Sequence, residues 1–184
     1  MRLRTVRAAA AFLFLVSIAG CRCGSPFVEG ESECSDGLCV CVGTPAEGSC
    51  AADCGGGGCS TECRNAQDCR LDCGDGCTHQ CLDMNFCEMF CGADCHLGCA
   101  RMESCTTDCG ARCEQLCEHA STCAFTVGAD SQVTCQHVGA CEVTCSGSCR
   151  VTCVETGTCH VTCANGAVAP VCPDGTRVCD QNCI

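Results

Sequence analysis

Cysteine is the residue type with which this chain could do chemistry, because it supplies 32 of the 184 residues. Thiolates bind soft metals such as Cu(I) and Zn, and the segment Cys77-Thr78-His79-Gln80-Cys81 would place two sulfurs and an imidazole on one face of a strand. A cysteine in a disulfide is no metal ligand, and this spacing matches no zinc signature. A structural disulfide is therefore the favoured interpretation of this segment, and we expect no metal and no other cofactor.

Catalytic patterns are not recognisable elsewhere in the sequence. The chain lacks the Cys-x2-Cys spacing of a redox catalyst, and it offers no Ser-His-Asp set, paired carboxylates or phosphate loop at a known spacing. Asp75, Asp94 and Asp130 fall in predicted turns where calcium could bind, but these turns lack a dense set of acidic ligands. We therefore predict a protein that is not an enzyme and has no catalytic residues.

The charge of the chain restricts its partners. It carries 22 acidic residues against ten arginines and no lysine, which gives a net charge of −12. An acidic chain is repelled by the phosphates of nucleic acids and by anionic lipid headgroups. We expect no nucleic-acid partner, and we expect the ligand to be a protein or a surface whose identity the sequence does not give.

The first twenty residues have the pattern of an export signal. Arg2, Arg4 and Arg7 precede a short apolar run from Ala8 to Ile18. Roughly 20 apolar residues are needed to span a bilayer, so this run is typical of the apolar region of a signal peptide rather than of a membrane helix. An extracytoplasmic compartment is oxidising, and disulfides are then the default state of the cysteines.

The end of this signal, Ile18-Ala19-Gly20-Cys21, resembles the lipobox of bacterial lipoprotein precursors. The resemblance implies that Cys21 receives a lipid, that the chain is cut just before it, and that the new N-terminus is acylated. Arg22, where some members have aspartate, implies sorting to the outer membrane if the host is Gram-negative. The expected location is extracytoplasmic, with the chain anchored in the outer membrane or at the cell surface. An ordinary secretory signal, with Cys21 in a disulfide, is the alternative.

An eighteen-residue repeat organises the chain from Cys50 onward, where the gaps between successive cysteines run 4, 4, 4 and 6. The copy that begins at Cys50 is stretched by one glycine in the run Gly55-Gly56-Gly57-Gly58. In the copy that begins at Cys123, Val127 and Ser131 replace the second and third cysteines together. Losing one partner of a disulfide would leave an unpaired thiol, so the joint loss predicts that these two positions are bonded in the other copies. The predicted pairs are Cys54–Cys59, Cys73–Cys77, Cys91–Cys95, Cys109–Cys113 and Cys145–Cys149.

These pairs require a tight turn. Cα atoms in a disulfide lie about 4.4–6.8 Å apart, whereas residues four apart along a strand are separated by about 13 Å. Glycine follows the second cysteine in most copies, as at Gly74, Gly92 and Gly110, and we expect it to supply a positive φ for the turn.

The units between the turns alternate like strands. In Cys141-Glu142-Val143-Thr144-Cys145, the cysteines and the valine would point inward. Each repeat would then form one coil of two short strands, with coils stacked about 4.8 Å apart. The same register places polar residues at three inward positions, namely His79, Thr107 and Gln115.

A helical alternative remains. Cysteines four apart also share one face of a helix, and such a stripe resembles the cysteine-rich four-helix copper-storage proteins. Glycines oppose this alternative, since each costs about 1 kcal/mol in a helix interior. The predicted fold is therefore all-β: a small, disulfide-rich, two-sheet β-solenoid, similar to a β-helix, of about six coils, after an N-terminal signal helix. A cysteine-rich helical bundle is the alternative.

The predicted organisation has four parts. Residues 1–20 are the signal peptide, 21–49 a lipid-anchored tether with a small cysteine knot, 50–163 the repeats, and 164–184 a C-terminal capping hairpin that pairs Cys172 with Cys179. With Cys21 lipidated, 31 cysteines remain, an odd number. One thiol is then free or bridges two chains in a disulfide-linked dimer, and we expect it at Cys183.

These features together predict a function class. We expect a non-enzymatic lipoprotein of the cell surface or periplasm that is held together by disulfides and has a structural or binding role. The alternative is sequestration of copper or zinc by reduced cysteines.

Overall fold

The computed structural model describes residues 31–35, 38–42 and 48–183; the signal segment 1–20 and Cys21 lie outside them. The described residues contain no helix and form thirteen strands. These are β1 (Glu31–Ser35), β2 (Leu38–Val42), β3 (Ser49–Cys54), β4 (Ser60–Arg64), β5 (Asp68–Cys73), β6 (Thr78–Cys91), β7 (His96–Cys109), β8 (Glu114–Val127), β9 (Ser131–Gln136), β10 (Ala140–Cys145), β11 (Cys149–Val154), β12 (Thr158–Thr162) and β13 (Arg177–Cys179).

Parallel pairing at an offset of eighteen residues stacks the strands into a solenoid. In the strand register, Cys81 lies beside Cys99, and Cys99 lies beside Cys117. The front sheet consists of β3, β5, the second halves of β6, β7 and β8, then β10 and β12. The back sheet consists of β2, β4, the first halves of β6, β7 and β8, then β9 and β11. The predicted two-sheet β-solenoid is confirmed. Each sheet has seven stacked parallel strands, one coil more than expected, because β2 and β12 each add a half-coil to the six repeats.

The strands form because every second side chain is buried. In β10, Cys141, Val143 and Cys145 are buried, whereas Glu142 and Thr144 are exposed. Between the cysteines, each strand contributes one central residue to the core. These residues are Ala52, Leu71, Met89, Thr107, Phe125, Val143 and Val161 in the front sheet, and Thr61, His79, Leu97, Gln115, Val133 and Val151 in the back sheet. The core is therefore a thin layer in which sulfur replaces most of the usual aliphatic side chains.

The two corners of each coil use left-handed backbone conformations. One corner places the same conformation at eighteen-residue intervals, with φ between 49° and 56°, at Asn65, Asp83, Arg101, His119, His137 and Glu155. The opposite corner places it at the residue before the third cysteine, as in Gly76 (φ 71°), Asp94 (φ 61°) and Arg112 (φ 56°).

The expected role of the glycine after the second cysteine is wrong. Gly92, Gly110 and Gly128 do not adopt a positive φ. They are small because adjacent coils touch at this position: a Cβ on Gly110 would lie 2.8 Å from the Gly92 oxygen, and one on Gly128 would lie 2.6 Å from the Gly110 oxygen. Backbone hydrogen bonds of 2.9 Å join these glycines from coil to coil. Close packing between coils, rather than backbone freedom, therefore requires glycine there.

Both ends of the stack contain further pairing. β2 lies parallel on β4, so the stacked part begins by Leu38, and the antiparallel strand β1 covers β2. At the C-terminal end, β13 runs antiparallel beside β11 and covers the last edge of the back sheet. The new edge strand β13 is only three residues long, and a short edge strand limits pairing with other chains.

Candidate functional site

Disulfides close both corners of nearly every coil, and they include the five pairs predicted from the repeat. The structure joins Cys54–Cys59, Cys73–Cys77, Cys91–Cys95, Cys109–Cys113 and Cys145–Cys149. Their Cα atoms lie 6.1–6.5 Å apart across the turn. The turn therefore brings these residues into disulfide range, although a continuous strand would separate them too far.

Sequence reasoning missed the disulfides of the opposite corner. They join the cysteines across the six-residue gaps, in Cys63–Cys69, Cys81–Cys87, Cys99–Cys105, Cys117–Cys123, Cys135–Cys141 and Cys153–Cys159. Elimination could have found them, because each copy has two further cysteines once its central pair is assigned. Each complete coil is thus held at both corners.

The predicted pair Cys172–Cys179 is wrong. Cys179 is bonded to Cys163, with Cα atoms 5.5 Å apart, and Cys172 is bonded to Cys183. The cause is β13, which adds to the back sheet opposite Cys149 and buries Cys179 against the last coil. The expected free or bridging thiol at Cys183 is wrong for the same reason, because Cys172 is left to pair with it.

The copy without its central disulfide keeps the same shape. Val127 and Ser131 are buried at the positions of the missing cysteines, exposed by 0% and 1%. The Ser131 hydroxyl accepts a hydrogen bond from the Cys113 amide (3.1 Å) and donates one to the Gly110 carbonyl (3.4 Å). The disulfide sulfur of Cys113 lies 3.5 Å from the Gly92 carbonyl oxygen at the corresponding place one coil earlier, but it has no hydrogen to donate. Ser131 therefore replaces a sulfur contact with hydrogen bonds of its own hydroxyl.

His79 is the one buried histidine in the described part of the chain, and its ring is held from one side only. It is 0% exposed, and its Nδ1 atom is hydrogen-bonded to the hydroxyl of Thr61 in the preceding coil. Its Nε2 atom has no hydrogen-bond partner among the described residues. Desolvation by burial lowers the pKa of His79 from 6.5 to about 4. The imidazole is therefore neutral at neutral pH.

The sulfurs beside the His79 imidazole differ from the predicted pair, Cys77 and Cys81. Cys81 is bonded to Cys87 at the far corner. The sulfurs that lie near His79 are instead those of Cys73 and Cys77: both Sγ atoms and a ring nitrogen lie within 4.8 Å of one another. Cys73 lies on the facing strand, so the strand pattern alone did not suggest it.

The outer surface carries ion pairs that join adjacent coils. Arg101 donates two hydrogen bonds to Asp83 (2.6 and 2.7 Å), and Arg112 donates two to Asp94 (both 2.6 Å). Hydrogen bonds from these guanidinium groups lower the pKa of the Asp83 and Asp94 carboxyl groups below the usual value. At a corner, the rings of His119 and His137 stack with centroids 4.8 Å apart.

The aspartates considered for calcium have protein partners. Asp75 accepts a hydrogen bond from the Ala93 amide (2.7 Å), and Asp130 accepts one from the Ser148 hydroxyl (2.6 Å). Asp94 is paired with Arg112. These carboxylates therefore act as connections between consecutive turns.

The two sheets present flat outer faces with regular rows of side chains. Thr126, Thr144 and Thr162 lie in register on the front sheet, and Thr134 and Thr152 on the back sheet. Each face also has a shallow depression. That of the front sheet has a volume of about 520 Å³ and is bordered by Arg70, Phe86, Glu88 and Thr106. That of the back sheet, about 350 Å³, surrounds Gly98 and reaches Leu116.

Comparisons of the chain with protein-family models, with curated proteins and with solved structures found no match. Among the residues that the structure describes, no helix is both long and apolar enough to cross a membrane. Functional inference for this chain therefore depends on its own residues and geometry.

Proposed function

We propose that the protein is exported and lipid-anchored, and that its solenoid is a non-enzymatic surface module with a structural or binding role. Support for export comes from the disulfides: all 29 cysteines from Cys39 to Cys183 are disulfide-bonded. Disulfides persist in oxidising, extracytoplasmic compartments. Support for the anchor comes from the lipobox resemblance at Ile18-Ala19-Gly20-Cys21, since lipid chains attached to one cysteine give firm membrane binding.

The observation that carries the binding role is the front face of the solenoid. Parallel strands in register hold its side chains in fixed rows about 4.8 Å apart, and disulfides hold the corners of the coils. Phe86, which is 46% exposed, borders the front depression beside the ion pair of Arg70 and Glu88. An exposed aromatic side chain with charged neighbours on a rigid face suits contact with a protein surface.

The anchor is tested with Cys21→Ser. The natural protein should enter the detergent phase on phase separation, and intact-mass analysis should find an N-terminal residue 21 that carries lipid. The variant is made behind an ordinary cleavable secretory signal in place of residues 1–20, so that no apolar segment is left uncut. It should remain in the aqueous phase, because it has no thiol to acylate. A variant that still enters the detergent phase, or a natural chain without lipid, would contradict the anchor.

The binding role is tested with the same variant as an unanchored ligand. Labelled C21S protein should bind saturably to the envelope of the bacterium that makes it, and binding should be lost after reduction and alkylation. Phe86→Ser should weaken binding by tenfold or more. The matched control is Leu116→Ser on the back sheet, where Leu116 is 40% exposed. Docking that survives reduction and unfolding of the coils would contradict a role for the folded face.

A further inference from the structure

The buried nitrogen of His79 has no assigned role in the fold. Buried polar atoms nearly always have hydrogen-bond partners, yet within the described residues His79 Nε2 has none. Leu97 stands at the equivalent position of the next coil, paired in register with His79. An apolar residue therefore fits this position, and packing alone does not call for an imidazole.

Two cysteine sulfurs lie near the His79 ring, and one of its nitrogens is within 4.8 Å of both. Of the five groups of potential metal ligands among the described residues, four contain cysteine sulfur only, and the group of Cys73, Cys77 and His79 also contains a nitrogen. All three residues are buried, with exposed fractions of 6%, 0% and 0%. Two thiolates and one imidazole are soft and borderline donors that favour Cu(I).

The hydrogen bond between the Thr61 hydroxyl and Nδ1 of His79 orients the ring in the way that metal-binding histidines require. A second residue usually fixes the nitrogen that does not bind the metal, and so sets the orientation and tautomer of the ring. Thr61 contacts Nδ1, and a proton on Nδ1 would leave the lone pair on Nε2. Burial lowers the pKa of His79 to about 4, so protons do not compete for this lone pair at neutral pH.

We propose that Cys73, Cys77 and His79 form a redox-gated site for Cu(I), which exists when the disulfide between the two cysteines is reduced. A dithiol opens the bond by thiol–disulfide exchange: it supplies two electrons and two protons, becomes a disulfide itself and leaves two thiols on the protein. Cu(I) then binds to both sulfurs and to the imidazole nitrogen, and the two thiol protons are released. Two-electron reoxidation of the cysteines by a disulfide restores the bond and releases the copper.

The softness of the donors and their burial favour Cu(I) over zinc. Zinc takes four protein ligands in structural sites, or three and a water or substrate in catalytic sites, whereas this group supplies three donors that are buried away from solvent. The sulfur of Cys59 lies 3.7 Å from that of Cys73, but it belongs to the disulfide with Cys54. Three donors with two thiolates are suited to Cu(I).

The coil that follows the proposed site has the same disulfide without the histidine, and it serves as a control for the role of His79. Cys91 and Cys95 form the equivalent disulfide, and Leu97 replaces the histidine. Cys91 is more accessible than Cys73, so a reductant that opens Cys73–Cys77 should also reach this bond. His79→Leu gives the proposed site the residue of the control coil, and Leu97→His gives the control coil the histidine of the proposed site.

The experiment uses the full-length protein under anaerobic conditions. A phosphine reductant is added in steps; alkylation with mass spectrometry identifies the open disulfides, and circular dichroism follows the strands. Cu(I) alone is the probe, and its affinity is measured by competition with a chromogenic chelator. We expect no high-affinity copper in the oxidised protein, and one Cu(I) per chain once Cys73–Cys77 is open. His79→Leu should weaken binding by tenfold or more, and L97H should raise the stoichiometry to two.

Three outcomes would overturn the proposal. One is equal copper affinity in H79L and in the natural chain, which would mean that thiolates bind the metal without the imidazole. Another is equal binding by the oxidised protein. The third is that Cys73–Cys77 opens only together with loss of the strand signal, because the site would then never exist in the folded chain.

Discussion

At the scale of single residues, the sulfur-rich core determines which side chains can be accommodated. A central residue of each strand lies between disulfides, in a layer too thin to admit solvent. Thr107 and Gln115 bond to each other, with the Thr107 hydroxyl donating to Gln115 Oε1 (2.8 Å), while Gln115 Nε2 has no partner among the described residues. His79 has only Thr61, so the cost of burying its charged form is not offset.

Burial of His79 predicts a dependence of stability on pH. Its pKa is about 4 in the folded chain and about 6.5 in an unfolded chain. Between these values the unfolded chain binds more protons, so stability is greatest above pH 6.5 and falls as the pH drops toward 4. We expect the free energy of unfolding to fall by about 3 kcal/mol from pH 7 to pH 4 on account of this residue. Guanidinium unfolding of the oxidised protein at both pH values measures the change.

The control for this prediction is His79→Leu, which removes the titrating group and keeps the volume of the core. Other residues titrate in the same range, so the quantity to compare is the difference in pH dependence between the two proteins. Equal pH dependence in the variant and in the natural chain would show that His79 is not buried as a neutral group.

At the scale of elements, the contact between coils depends on glycines in the turns. A Cβ on Gly128 would lie 2.6 Å from the carbonyl carbon and oxygen of Gly110. We expect Gly128→Ala to destabilise the protein by about 1–3 kcal/mol, because backbone must move to admit the methyl group. Gly98→Ala is the matched control, since its Cβ would lie 3.7 Å from the nearest atom, in ordinary contact with Gln80. Thermal unfolding compares them, and equal melting temperatures would contradict close contact at Gly128.

The coil that lacks a central disulfide offers a second test at this scale. Val127 and Ser131 fill the positions of the missing pair, so the double variant Val127→Cys/Ser131→Cys should form the absent bond. Closing so short a loop stabilises by at most about 2 kcal/mol, less the lost packing of the valine. Ser131→Cys alone should add one reactive thiol. Two reactive thiols in the double variant would show that the turn does not bring these positions together.

The fold could be predicted from the sequence because the copies of the repeat can be compared with one another. Six copies of one coil gave the strand register, and the joint loss at Val127 and Ser131 gave the pairing of five disulfides. The C-terminal cap has no second copy, so its pairs Cys163–Cys179 and Cys172–Cys183 had no pattern to reveal them.

Contacts between side chains of different strands could not be predicted from the sequence. The strand register placed His79 inward, but its neighbour Cys73 comes from the facing strand and Thr61 from the coil before. Likewise, the close approach of Gly110 to Gly92 depends on the distance between coils, which the composition of one coil does not give. Local patterns predicted the strands of the repeats, whereas β1 and β2 fell in the segment expected to be a tether, and these contacts arise only once coils are stacked.

At the scale of the whole molecule, disulfides replace the apolar core. A disulfide typically contributes about 2–4 kcal/mol by restricting the unfolded chain, and the described chain contains few large aliphatic or aromatic side chains among its buried residues. We expect complete reduction and alkylation to abolish the strand signal in circular dichroism without any denaturant. A reduced chain that keeps this signal would show that the remaining core is sufficient to fold it.

One cysteine remains without an intrachain partner if Cys21 is lipidated. The disulfides of the structure shift the expected position of this cysteine from Cys183 to the N-terminal end of the chain. Every cysteine from Cys39 to Cys183 is disulfide-bonded, so the odd one falls among Cys21, Cys23 and Cys34. The antiparallel register of β1 and β2 sets Cys34 opposite Cys39. With Cys21 lipidated, Cys23 is the candidate for a bond between two chains.

A disulfide-linked dimer through Cys23 is therefore the prediction for the anchored protein. Lipid anchors hold two chains in one membrane and raise the effective concentration of their thiols, and the oxidising compartment favours the bond. A non-reducing gel of membrane extracts should show a dimer that disappears on reduction and in Cys23→Ser. Cys21→Ser should reduce the dimer, because it releases the chain from the membrane. A dimer that persists in C23S would assign the bridge to another cysteine, and a monomer with one alkylatable thiol would show that Cys23 stays reduced.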